Sequence, residues 1–91
     1  MSLHLIFNAT GLTACTRRCS SGDKFLLLGD GIYAHAQALE AGIEPANLFL
    51  LAPDAQARGV GSDLTGTLLR LEYSDFVALT EQCSPIVSWN E

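Results

Sequence analysis

Cysteine is the residue type in this sequence with the strongest nucleophilic chemistry, and it occurs as Cys15, Cys19 and Cys83. A thiolate attacks disulfides and persulfides, so a cysteine beside a positive charge is suited to accepting a sulfur atom. On a helical projection, Cys19 lies within the apolar stripe, whereas Cys15 lies at its edge about 60° from Arg18. Two interpretations of Cys15 follow: a reactive thiol with a lowered pKa, or a small hydrophobic core residue.

The other cysteines fit a structural role. Cys19 lies in the middle of one stripe, and Cys83 lies on the apolar stripe of the last predicted helix, so both are expected in the core. The odd number of cysteines and the lack of a secretory signal predict reduced thiols in the cytoplasm. The spacing of Cys15 and Cys19 offers two ligands on a helix, but no second pair completes a metal site. We therefore expect neither a metal nor a cofactor.

Other catalytic patterns find little support. Gly29-Asp30-Gly31 follows an apolar run but lacks the spacing of a dinucleotide-binding loop. It predicts instead a tight turn, permitted by Gly31, in which Asp30 caps the next helix. His35 lies at the edge of the predicted apolar stripe Ile32, Ala36 and Leu39, where a partly buried or interface histidine is the alternative to a proton-transfer group. No serine occurs in the sequence context of a hydrolytic triad, and no paired carboxylates are evident.

Composition restricts the class of protein. The chain has 91 residues, 48% hydrophobic and 16% charged, with a net charge of −5. This length fits a single domain over residues 1–91, and the acidic charge argues against direct nucleic-acid binding. No apolar run approaches the ~20 residues of a membrane span. The apolar excess predicts that partner chains cover part of the surface.

The hydrophobic pattern predicts an α/β fold with a mostly parallel sheet of about five strands. The first three apolar runs are nearly continuous, which is typical of strands buried on both faces. Gly42 is suited to end one helix, Pro53 to begin another, and Ser74 to cap the last. The strands are predicted over residues 3–7, 24–28, 47–52, 68–73 and 86–89, the helices over 10–21, 30–41, 53–58 and 74–83, and a loop over 59–67.

Four phrases resemble motifs of the DsrH/TusB family in the same order along the chain. They are LLLGDGIYA at residues 26–34, DAQARG at 54–59, EYSDFVALT at 72–80 and SW at 88–89, and the opening Leu3-His4 adds to them. The chain departs from the family pattern at Glu72, Ala55 and His35. The resemblance covers essentially the whole chain.

This resemblance implies a DsrE-like three-layer fold and a place in a sulfur relay. Family members join TusC-like and TusD-like subunits in a cytoplasmic heterohexamer. That complex takes persulfide sulfur from TusA and passes it through TusE toward 2-thiolation of the tRNA wobble uridine. Cys15 matches the family cysteine that lies fifteen residues before the Asp of the "DG" turn, here Asp30. The resemblance thus implies that Cys15 could carry a persulfide, in a subunit without catalysis of its own.

Three functions remain open from the sequence. The chain is a TusB-like relay subunit, a non-catalytic assembly module of that complex with structural cysteines, or a DsrH-like subunit of DsrEFH in dissimilatory sulfur oxidation. In each case we expect obligate partners. The expected contact surface is the helix carrying Phe76 and Val77, with the terminal strand and its Trp89 as anchor.

Overall fold

Within residues 1–90, which the computed structural model describes, five short strands form one sheet in which all neighbours are parallel. The strand order is β4-β3-β2-β1-β5, so the first strand lies inside the sheet and the last forms one edge. Parallel neighbours need crossover connections, and here each crossover carries a helix. The strands are β1 (Leu3–Ile6), β2 (Lys24–Leu27), β3 (Leu48–Leu51), β4 (Leu69–Leu71) and β5 (Ile86–Trp89).

Helices cover both faces of this sheet and confirm the predicted three-layer α/β fold. Three of the five α-helices contribute side chains to the core cluster on the first face, and only the last α-helix contributes to the cluster on the second face. The helices are α1 (Ala9–Thr16), a 3-10 helix (Gly29–Ala34) continued by α2 (His35–Glu40), a 3-10 turn (Pro45–Asn47), α3 (Ala52–Ala57), α4 (Ser62–Thr65) and α5 (Tyr73–Gln82). The predicted loop over 59–67 therefore contains the short helix α4.

The core divides into two clusters because successive strand side chains point to opposite faces. In β3 all four residues are buried, which explains the continuous apolar run. The first-face cluster joins the strands to α1, α2 and α3 through Leu12, Ala38 and Ala55. The second-face cluster is smaller and joins the strands to α5 through Leu79.

The first helix is shorter than its predicted span of 10–21. Asn8 caps α1, since its side-chain oxygen accepts a hydrogen bond from the Gly11 backbone at 2.7 Å. The chain leaves the helix after Thr16 and turns toward β2. Asp23 stabilises that turn, because its Oδ2 accepts a hydrogen bond from the Ser20 backbone at 2.9 Å. A side chain from beyond the helix therefore competes with further helical hydrogen bonds.

The second predicted helix begins as a 3-10 helix, and this shifts the buried positions. A 3-10 helix has three residues per turn, so its apolar side falls out of phase with an α-helical stripe. Ile32 is buried as expected, but Ala36 and Leu39 are exposed and Ala38 is buried in their place. The predicted stripe was therefore wrong beyond its first turn.

Asp30 does not cap the second helix, and that prediction was wrong. Leu28 occupies the cap position without a side-chain bond. The turn is held instead by Asp54 of α3, whose Oδ2 accepts a hydrogen bond from the Gly29 backbone at 2.7 Å. Asp30 points into solvent and pairs with Arg58 at 3.2 Å. The backbone N–H of Gly29 is thus bonded by a carboxylate that lies 25 residues further along the chain, a contact that the local sequence does not reveal.

Gly31 is required for close packing rather than for the turn. A Cβ on Gly31 would lie 2.0 Å from the Ile6 carbonyl oxygen, so a side chain is excluded there. The positive φ of the turn belongs to Gly29, at 56°. Gly42 has a φ of 91° after α2, as expected for a glycine that ends a helix.

The last helix begins at a different cap from the predicted Ser74. Glu72 and Asp75 form a reciprocal capping box, in which each side chain accepts a hydrogen bond from the other's backbone. The strand β4 accordingly ends at Leu71, and Tyr73 already belongs to α5. Among the helices of residues 1–90, none combines the length and the apolar character that crossing a membrane requires.

Candidate functional site

The three cysteines occupy three different environments. Cys15 is 0% exposed, within the first-face cluster. Cys83 is also buried, but on the second face of the sheet. Cys19 follows the end of α1 and is half-buried, which makes it the most exposed of the three. Sequence reasoning had assigned the more accessible position to Cys15, and that part of the prediction was wrong.

The environment of Cys15 disfavours a thiolate. Burial raises the pKa of the Cys15 thiol to about 12, and the negative charges of Cys19 and Asp23 add to the increase. Arg18, expected to lower this pKa, lies beyond the helix end and is exposed to solvent. The lowered pKa was therefore predicted wrongly, because the buried side of α1 is formed by Gly11, Leu12 and Cys15, which places Cys15 within the inward face and not at its edge. The role of Cys15 as a persulfide carrier stays a prediction.

Cys19 lies in the wall of a cleft of about 260 Å³ at the amino-terminal ends of β2 and β3. Its Sγ lies 3.8 Å from the Thr16 carbonyl oxygen. The wall also includes Asp23, Phe25 and Glu44. The cleft gives the Cys19 thiol open space, and the side chains of residues 1–90 that line it include two acidic groups and no cationic one.

A buried polar network was missed by sequence reasoning. The Trp89 indole N–H donates to His4 Nδ1 at 3.0 Å, and His4 Nε2 lies 2.8 Å from Asp23 Oδ2. An indole nitrogen can only donate, so Nδ1 is the acceptor and the histidine proton resides on Nε2. The His4 ring also stacks on Phe25, with 5.1 Å between the ring centroids. The network joins β1, β5 and the residue before β2.

Asp23 is the centre of charge in this network. Burial by itself raises its pKa, but hydrogen bonds from His4, Ser20 and Ser2 outweigh that effect and hold the pKa of Asp23 below its ordinary value of 3.8. These contacts satisfy both carboxylate oxygens. The network therefore has a structural role, because it links β1 to β5 and to the residue before β2. The only sequence signal was a histidine at an inward position of the first strand.

The remaining candidates do not converge on one site. His35 donates from Nδ1 to the Ile32 carbonyl at 3.1 Å, which fixes its ring against its own helix. Cys15 and Cys83 are separated by the sheet, since they belong to clusters on opposite faces. Across residues 1–90, no three histidine, cysteine or acidic side chains are grouped closely enough to hold a metal ion.

The second face of the sheet exposes apolar side chains. Leu69, Tyr73, Val77 and Ile86 are between 45% and 60% exposed, and they lie on β4, α5 and β5. We call these four residues the α5-side patch. Trp89 does not belong to it, because its ring packs against the first-face cluster and its N–H is bonded to His4. Its assignment as an interface anchor therefore has no support in its contacts.

Comparison with known proteins gives one family. The family model described as DsrH like protein matches residues 6–85. Protein TusB of Sodalis glossinidius is 35% identical over 85 residues, which cover 89% of this chain and 90% of that protein. Protein TusB of Escherichia coli is 31% identical over 96 aligned positions, covering 96% of this chain and 99% of that protein. On the agreement of these matches with the three-layer fold, the chain belongs to the family of DsrH-like proteins.

Proposed function

We propose that this chain is a TusB-like subunit of a cytoplasmic sulfur-relay complex that passes persulfide sulfur toward 2-thiolation of the tRNA wobble uridine. The observation that carries the proposal is the match to proteins named TusB across nearly the whole chain, at 31–35% identity. The net charge of −5 supports a relay role upstream of the RNA, since an acidic chain is poorly suited to hold a phosphate backbone.

The partners in this proposal are a TusC-like and a TusD-like chain, assembled as a heterohexamer, with TusA and TusE as donor and acceptor. The α5-side patch supports a partner surface on the second face. One ten-residue helix covers a five-stranded sheet there, and Leu69 and Ile86 at the two sheet edges are left exposed. Fully burying an exposed apolar side chain of this size contributes about 1.5–3 kcal/mol, and because the four residues of the α5-side patch are already about half covered, a partner would add about half of that for each.

A carrier role for Cys15 is part of this proposal and requires a change in conformation. The thiol is fully buried, so sulfur transfer to it requires α1 to move away from the sheet. A second candidate, the non-catalytic assembly module, is favoured by this burial and by the raised pKa of Cys15. In that case the sulfur-carrying thiols belong to the partner chains. The DsrH-like role in sulfur oxidation is the other alternative, and the relatives named TusB favour the thiolation branch.

The test uses a strain that lacks the chromosomal copy of this gene. Complementation with the wild-type chain should restore wobble 2-thiouridine, measured by mass spectrometry of tRNA nucleosides, and should co-purify a TusC-like and a TusD-like chain. Val77→Asp places a charge in the α5-side patch and should abolish both. Leu64→Asp, at an equally exposed apolar position on α4, should leave both intact. A dilution-resistant monomer that binds neither partner would refute the proposal.

A further inference from the structure

A second cavity lies beside β3 and β4, where two successive crossovers pass over opposite faces of the sheet. The chain leaves β3 into α3 on the first face of the sheet, and it leaves β4 into α5 on the second face. In open α/β sheets, a crevice forms at such a switch point and commonly holds a ligand. Here a crevice of about 400 Å³ lies beside β3 and β4, lined by Ala52, Gln56, Gly59, Val60, Gly61 and Arg70.

Arg70 is the charged residue in the wall of this crevice. Its Nη2 donates to the Val60 carbonyl at 2.7 Å and lies 3.2 Å from the Thr65 hydroxyl. These bonds fix the plane of the guanidinium group. Its Nε is buried and has no hydrogen-bond partner, a condition rare in folded proteins. The side chain is therefore held in place while part of its donor capacity is unused.

The positive charge of Arg70 is also uncompensated. Among residues 1–90, the ion pairs within 4 Å are His4–Asp23 and Arg58–Asp30, so none involves Arg70. The residues lining the crevice include no carboxylate. A half-buried guanidinium without a counter-charge is costly, and none of the acidic residues in the described part of the chain forms an ion pair with this one.

The rest of the lining suits a small polar ligand. Gly59 has a φ of 68°, and a Cβ built on it would meet nothing within 4 Å, so open space lies beside that backbone. Ala52 and Gly61 add little side-chain volume, and Gln56 supplies an amide that can donate or accept. The crevice thus combines room, a fixed cation and an adaptable hydrogen-bonding group.

We propose that this crevice binds a small oxyanion, carried as a carboxylate or a phosphate group, with Arg70 as its counter-charge. The anion supplies the counter-charge that the guanidinium lacks, and guanidinium groups bind both classes of oxyanion through charge-assisted hydrogen bonds. This site lies apart from all three cysteines and goes beyond the function proposed above, because it requires neither sulfur transfer nor a partner chain.

The test follows the Arg70 Nε–H signal by NMR. The full chain is labelled with 15N and, if it purifies only with partner chains, is studied with those chains unlabelled. Sodium phosphate and sodium acetate are titrated separately against sodium chloride at matched ionic strength. We expect the Arg70 Nε–H resonance to move saturably with at least one oxyanion, and the stronger of the two responses identifies phosphate or carboxylate. The other three arginines provide internal controls for a general salt effect.

A substitution tests whether Arg70 itself binds the oxyanion. Arg70→Lys keeps the charge but loses the planar group, and it should weaken the saturable response of the Gly59 and Gly61 amides about tenfold or more. Arg58→Lys, at a surface ion pair, should leave that response unchanged. The proposal is overturned if the wild-type Arg70 signal does not move, or if it moves only in parallel with the exposed arginines. Neither outcome depends on whether the Lys variant folds.

Discussion

Alkylation of the native chain tests whether Cys15 is as unreactive as its environment indicates. A pKa of about 12 in place of the ordinary 9.0 lowers the thiolate fraction at neutral pH about a thousandfold. The side chain is also 0% exposed, so the reagent reaches it only when α1 opens. The raised pKa has its main cause in this burial, so the two effects do not multiply, and from the thiolate fraction alone we expect Cys15 to react with iodoacetamide about a thousandfold more slowly than an exposed thiol.

The assay separates the cysteines by their tryptic peptides. Trypsin cleaves after Arg17 and Arg18, so Cys15 and Cys19 fall into different fragments, and mass spectrometry gives each labelling rate directly. Cys19, half-buried at its cleft, should be labelled first. In denaturant both cysteines should react at similar rates, which controls for reagent chemistry. Cys19→Ser removes one of the charges that raise the pKa of Cys15 but leaves its burial, so Cys15 should still react much more slowly than in denaturant.

Labelling of Cys15 as fast as that of Cys19 under native conditions would refute the burial argument. The same fragments report persulfidation when a persulfide donor replaces the alkylating reagent, since the carrier thiol gains the mass of one sulfur atom. A native-state gain on Cys15 would establish it as a carrier that opens. A gain confined to Cys19, with none on Cys15, would exclude Cys15 as the carrier and favour the assembly-module function.

Two further substitutions test the fold around these residues. Gly31→Ala would place a Cβ 2.0 Å from the Ile6 carbonyl oxygen and should destabilise the chain by about 3 kcal/mol in urea unfolding, whereas a loss below about 0.5 kcal/mol would contradict the close approach. Asp23→Asn should cost about 1–3 kcal/mol at pH 7, because the folded pKa of Asp23 lies below its unfolded value of 3.8. That contribution is fully present above the unfolded pKa and is lost as the pH falls through the folded pKa, so the stabilities of wild type and variant should begin to converge only below the unfolded value of 3.8 and meet below the lowered folded pKa. If the unfolding free energies of wild type and variant instead change in parallel with pH, the Asp23 carboxylate does not have this stabilising role.

The parallel sheet was predictable from sequence because its evidence is local. The runs that became β2 and β3 are nearly all apolar, and such runs are required where helices cover both faces. Gly42 and Pro53 likewise marked helix boundaries through their own backbone preferences. Each of these signals depends on a few adjacent residues.

The errors arose where a partner distant in sequence decides the outcome. Asp54 bonds to the Gly29 backbone from 25 positions away, and it replaces the capping role predicted for Asp30. Asp23 accepts a hydrogen bond from the Ser20 backbone where α1 was predicted to continue, so Cys19 lies beyond the end of the helix. The guanidinium of Arg70 is placed by a contact to the Val60 carbonyl across the β3–β4 crossover. Helical periodicity contains none of these contacts.

The position of β1 inside the sheet affects the risk of aggregation during synthesis. Its two neighbours are β2, which follows soon after it in the chain, and β5, whose Ile86 pairs with Leu3 from the far end of the domain. Throughout synthesis of the intervening residues, one edge of β1 has its backbone groups unpaired. Unpaired strand edges are templates for pairing with other chains. The nascent chain is therefore exposed to aggregation until β5 emerges, and truncation before residue 86 would make that exposure permanent.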